Sequence, residues 1–88
     1  MKPYEQVIEG NIIRRTFSED VESEELVWHR DRKDRMVKVI QSDGWKFQYD
    51  NDIPIEMECG DSIVILKETF HRILKGKGDL VIEIEEFE

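Results

Sequence analysis

The 88-residue chain has two histidines, His29 and His71, and His29 lies in a dense charged stretch, Trp28-His29-Arg30-Asp31-Arg32-Lys33-Asp34-Arg35. His29 and Asp31 are two residues apart, so on an extended strand their side chains share a face. If His71 arrives from a facing strand, the three make a set of two imidazoles and one carboxylate. Such a set holds non-haem Fe(II) and leaves coordination positions open. Arg35 follows four residues after Asp31 and stays protonated, so it cannot ligate. It has two readings of equal weight. It is either a bidentate hook for an anionic group such as a carboxylate or phosphate, or the partner that neutralises Asp31 on an inward face. At ~6 Å from a divalent ion, with an effective dielectric near 20, its charge costs about 5 kcal/mol. Asp31, or Asp34 turned inward, would have to offset much of that.

Strands must position these residues. The chain lacks alanine and takes most of its aliphatic side chains from Ile and Val, a bias that suits pleated, half-buried strands. Period-two alternation predicts an opening strand around 7–17 and further strands over 25–31, 35–41, 45–49, 53–57, 63–66, 71–74 and 80–84. Within these, Val27, His29 and Asp31 share one face, as do Arg35, Val37 and Val39. The stretch Ile63 to Leu66 reads as buried on both faces, and the acidic tail 83–88 as an outer face. Trp45, Phe47 and Tyr49 form an aromatic stripe that reads as core or barrel wall. The acidic run 18–25 reads as a solvated connection. Ser42-Asp43-Gly44, Asp50-Asn51-Asp52, Gly60-Asp61 and Gly76-Lys77-Gly78 mark turns. Short strands at this spacing mean a sandwich or barrel.

The length allows one domain over residues 1–88, small enough for oligomerisation to help it. Thirteen basic and twenty-one acidic residues give a net charge of −8, interspersed rather than gathered in a basic stripe. This argues against nucleic acid as a partner. Cys59 has no disulfide partner and reads as a small core residue in a reducing compartment. No apolar run approaches a membrane span or a signal peptide, so the expectation is a soluble, cytoplasmic protein. The triplet His29-Arg30-Asp31 copies a kinase catalytic loop by chance, because the asparagine expected five residues after the aspartate is Met36.

The stretch from Ser23 to Lys75 resembles the cupins, small jelly-roll barrels with two motifs, Gly-x5-His-x-His-x3–4-Glu-x6-Gly and Gly-x5-Pro-x-Gly-x2-His-x3-Asn. In the first, His29 matches a histidine, Asp31 stands at the second histidine, Arg35 at the glutamate and Ser42 at the closing glycine. In the second, Gly60 and His71 match, with Leu66 at the proline, Glu68 at the second glycine and Lys75 at the asparagine. The segments Trp28 to Val39, Gly44 to Gln48 and His71 to Leu80 also look like short uncharacterised proteins of marine tailed phages and metagenomes. The cupin resemblance implies a minimal all-β jelly roll with a pocket lined by His29, Asp31, Arg35 and His71. A divalent metal (Fe, Mn, Ni or Zn) would be held by His29, Asp31 and His71, and a small anionic molecule by Arg35 and Tyr49. Apart from the resemblance, Tyr49 or Tyr4 could serve as an acid at a barrel mouth, although no motif places either there. An enzyme built this way would be a metal-dependent oxygenase, or an epimerase with His29 or His71 as general base. The alternative is a non-catalytic interaction module in which the same cluster is a folding network. Either is expected to be a homodimer that covers apolar residues such as Trp28 and Ile40.

Overall fold

The computed structural model describes residues 2–87. Eight strands follow in order: β1 (Glu5–Glu9), β2 (Ile12–Phe17), β3 (Asp34–Asp43), β4 (Lys46–Tyr49), β5 (Ile55–Glu56), β6 (Ser62–Ile65), β7 (His71–Leu74) and β8 (Lys77–Phe87). Between β2 and β3 lies a single 3-10 turn, Ser23–Glu25. All pairings are antiparallel, in a five-stranded sheet ordered β1-β2-β8-β3-β6 and a three-stranded sheet ordered β5-β4-β7. Among the described residues no helix is long and apolar enough to cross a membrane.

Alternation decides what each sheet buries. Val37 and Val39 of β3, Ile65 of β6, and Leu80, Ile82 and Ile84 of β8 turn inward from the larger sheet. Phe47 of β4 meets them from the smaller sheet and Trp45 from just before that strand, with Val21 and Met57 in the same core. Trp45, Leu80, Ile84 and Val39 are almost completely enclosed, and each such side chain contributes about 1.5–3 kcal/mol by leaving water. The buried indole N–H of Trp45 donates to the Gly78 carbonyl, which removes the cost of an orphaned donor.

Several expected elements take a different form. The opening stretch is a hairpin rather than one strand: Gly10-Asn11 connects Glu9 to its partner Ile12, with Gly10 at φ 59. Glycine first in a two-residue loop gives a turn whose twist suits a hairpin. Residues 25–31 are no strand, because only His29 has a neighbour to pair with. The strand expected over 53–57 shrinks to Ile55–Glu56. In β6 only one face is buried, with Val64 50% and Leu66 57% exposed, since nothing packs on its outer side. Cys59 is exposed on a turn, its thiol donating to the Ile40 carbonyl. The acidic connection is anchored by Val21, which is buried. Ile40 is half-buried, and the Arg72 guanidinium lies 4.4 Å from the Trp28 ring centroid, covering part of that side chain.

The turn after β7 is constrained by close approach. A Cβ on Gly76 would stand 2.4 Å from the Asp43 carbonyl oxygen and from the Trp45 amide nitrogen. Both are backbone atoms and cannot rotate away. Gly76→Ala should therefore lower stability by about 3 kcal/mol, the upper range for overpacking, as measured by urea denaturation. A change below about 0.5 kcal/mol, the size of an ordinary surface substitution, would contradict this account of the corner.

Candidate functional site

Between the sheets lies a cavity of about 360 Å³. Its charged and imidazole lining residues are Arg15, Glu25, His29, Asp31, Arg35 and His71. His71 is the first residue of β7, and His29 crosses its free edge, joined to it by two backbone hydrogen bonds of 2.9 and 3.0 Å. The bridge sets the two imidazoles edge to face, with centroids 4.3 Å apart. Beyond it the Asp31 carbonyl accepts from the Glu68 amide at 2.7 Å, which fixes Asp31 beside the pair. The resemblance puts Glu68 at a motif glycine, and its backbone is indeed left-handed, φ 61. That conformation costs a side-chain-bearing residue about 1–2 kcal/mol. One potential ligand atom from each of His29, Asp31 and His71 lies within 4.8 Å of the others. His29 is exposed and His71 buried, so the cluster runs from solvent into the core.

Hydrogen bonding sets how these donors point. His29 Nδ1 lies 3.1 Å from the Val27 carbonyl and His71 Nδ1 2.8 Å from that of Thr69. A carbonyl only accepts, so each Nδ1 carries the hydrogen and each Nε2 is left to ligate. This is the outer-shell arrangement of metal-binding histidines. Burial pushes the His71 pKa below its ordinary value. The Thr69 hydrogen bond raises it, His29 lowers it, Asp31 raises it and Arg35 lowers it, in decreasing order. The ring is thus neutral at pH 7, and its Nε2 turns a lone pair toward Asp31 Oδ2 at 3.4 Å. That oxygen is buried with no hydrogen-bond partner. Two facing lone pairs and an orphaned carboxylate oxygen fit a cation between them. The donor set suits Fe(II), Mn(II) or Zn(II).

The other carboxylate oxygen is occupied. Asp31 Oδ1 lies 3.3 Å from Arg35 Nη1, while Arg35 Nε and Nη2 donate to Glu86 at 3.0 and 2.8 Å. Arg35 thus stands between two carboxylates, with its side chain only 13% exposed. The second of them, Glu86, was expected on the outer face of the last strand. It faces Arg35 across β3–β8 because it keeps step with Leu80, Ile82 and Ile84, and extending that alternation by one residue reveals it. Arg15 and Glu25 also line the cavity, and neither was expected there. Arg15 shares the inward face of β2 with Ile13 and Phe17.

Tyr49 lies opposite His71 in the β4–β7 register, but its hydroxyl donates to the Val64 carbonyl of the other sheet. It clamps the two sheets and is absent from the cavity lining, and burial raises its pKa. Tyr4 does line the cavity, packed on Phe17 with centroids 5.3 Å apart.

No family model and no curated protein sequence matches this chain. Solved structures do. An RmlC-like cupin from Shewanella frigidimarina superposes with a TM-score of 0.70 at 14% identity, over 94% of this chain and 73% of that one. A cupin domain from Bordetella pertussis gives 0.65 at 15% identity, over 97% and 92%. The FeII HppE structure gives 0.67 at 8% identity, covering 96% of this chain and 48% of that one, so this chain spans about half that protein's length. The fold is a cupin-type jelly roll.

Because the folded imidazole of His71 resists protonation, the unfolded chain takes up that proton first as pH falls. A lowered folded pKa therefore withdraws stability below the ordinary imidazole value of 6.5. Between about pH 7.5 and about pH 5.5, chelator-treated protein should lose stability through this group as pH falls. Urea denaturation of His71→Gln should lack that part of the slope. Equal slopes in the two proteins would show that His71 does not carry it.

Proposed function

We propose that the barrel holds a divalent metal ion on His29, Asp31 and His71 and binds a small anionic molecule beside it in the cavity. The observation that carries this reading is the pair of facing lone pairs on His71 Nε2 and Asp31 Oδ2, the latter buried without a partner. A protein interior rarely tolerates this unless something cationic completes it. The iron(II) named for HppE, which shares the fold, supports a metal in this class of barrel. Once bound, such an ion supplies Lewis acidity toward a ligand oxygen.

The surrounding residues have separable tasks. Val27 and Thr69 carbonyls fix the rotation of the two rings. Arg35 holds one oxygen of Asp31 and so directs the other at the histidines, and Glu86 answers the arginine charge that would otherwise oppose a cation. Exposed His29 leaves the cluster open on the solvent side, where an anionic molecule has access. The continuous chain Asp31–Arg35–Glu86 favours a second reading, in which the cluster serves only to tie the strands together.

Isothermal titration of Mn(II) into untagged, chelator-stripped protein separates the two. One ion per chain is expected. His71→Ala and Asp31→Asn should each weaken binding more than about 100-fold, beyond the 10–100-fold typical of outer-shell changes. Absence of binding by the unaltered protein, or affinity unchanged in both variants, would leave the folding network as the account.

A further inference from the structure

Of the two arginines that line the cavity, Arg15 alone has no carboxylate at ion-pair distance among the described residues. Asp31 is answered by Arg35, and Arg35 by Asp31 and Glu86. The Arg15 guanidinium is half-buried, lies 4.2 Å from the Tyr4 ring centroid, and spends its Nε on Gln6 at 2.6 Å. Burial lowers its pKa from the ordinary value and Arg35 lowers it further, while Tyr4, and more weakly Asp31 and Glu86 through space, raise it. Four of its five N–H donors therefore remain to be satisfied by something other than a protein carboxylate. A guanidinium so placed gains strongly from an anion, and its planar fork matches a carboxylate in two parallel hydrogen bonds.

The remainder of the wall says what the anion is attached to. Twelve of the nineteen lining residues are apolar, among them Phe17, Leu26, Val37, Phe47, Met57 and Ile82. A sugar or polyol would leave most of its hydroxyls without partners against that surface, at a cost for each. A hydrocarbon body would instead displace water from it. The volume of about 360 Å³ lies near the lower end for ligand pockets, about 300–1,000 Å³, so the body is small.

We infer that Arg15 is the anion-binding residue of this cavity, and that the ligand is a small apolar monocarboxylate, branched aliphatic or aromatic, rather than a sugar acid or a sugar phosphate. The inference rests on the reading of the cavity as a ligand site. It assigns the anion to Arg15 on β2, and leaves Arg35 as a positioning residue for Asp31.

Isothermal titration with 4-methylpentanoate, its neutral amide 4-methylpentanamide, glucuronate and inorganic phosphate tests this, on protein with Mn(II) added and on chelator-treated protein. The acid should bind in both states, and the amide about tenfold to a hundredfold more weakly, the range for losing one hydrogen-bonded charge contact. Arg15→Met should lose the acid by a similar factor while its Mn(II) affinity stays within about threefold. Glucuronate and phosphate should bind more weakly than the acid. The inference fails if the amide equals the acid, if glucuronate or phosphate outbinds it, if Arg15→Met binds the acid unchanged, or if chelation alone abolishes its binding. The acid–amide comparison needs no variant, so poor folding of Arg15→Met does not protect the inference. Mn(II) binding with no affinity for the acid overturns the inference alone, whereas loss of both overturns the metal-and-ligand reading with it.

Discussion

Two backbone hydrogen bonds between His29 and His71 hold the site together. The segment from Leu26 to Lys33 makes no strand, yet it must deliver an imidazole and a carboxylate to a cavity built by other elements. One antiparallel bridge on the free edge of β7 achieves this, and the Asp31 carbonyl, bonded to the Glu68 amide, extends it by one contact. Because the bridge is antiparallel, residues paired across it project to the same side, so the rings meet, and Phe47 stacks on His71 with centroids 5.6 Å apart. The left-handed backbone at Glu68 is strain spent to turn the chain back toward Asp31, as backbone strain often is near functional sites.

Around that bridge, Asp31 divides its charge between two uses. Oδ1 enters an alternating chain with Arg35 and Glu86, so that the arginine is balanced on both sides. Oδ2 is left to the histidines. Without Glu86, Arg35 would repel a cation at the neighbouring donors. Removing Arg35 would instead leave two carboxylates facing each other, Asp31 nearly enclosed and Glu86 partly open to solvent. The structural network and the candidate metal site are therefore built from the same carboxylate, and the ion-pair chain aims the oxygen that remains. Arg15 makes no ion pair with this chain, although Asp31, Glu86 and Arg35 act on it through space.

Much of this was legible in residue order. Absent alanine and period-two alternation pointed to strands, and Val37, Val39, Trp45 and Phe47 turn inward as their parity requires. His29, Asp31 and His71 were readable as a set because two histidines and a spacing of two leave few alternatives. What escaped was tertiary. Gly10-Asn11 hides a hairpin turn inside an apolar stretch. Residues 25–31 alternate as a strand would, but alternation cannot say whether a partner lies alongside, and only His29 has one. Glu86 was misread because a run of glutamates suggests solvent, although its parity with Ile84 already set its direction. The hydroxyl of Tyr49 is drawn to a carbonyl on the opposite sheet, which no local pattern encodes.

In the proposed function, the orphaned Asp31 oxygen and the two Nε2 atoms form one cation site. Anomalous diffraction from crystals grown with Mn(II) tests it most directly. The account predicts a single strong peak bounded by His29 Nε2, His71 Nε2 and Asp31 Oδ2, at ordinary metal–ligand distances of about 2.0–2.2 Å, with Arg35 still spanning Asp31 and Glu86. A cavity without a peak, or a peak held by other residues while His71 Nε2 and Asp31 Oδ2 keep facing each other, would contradict it.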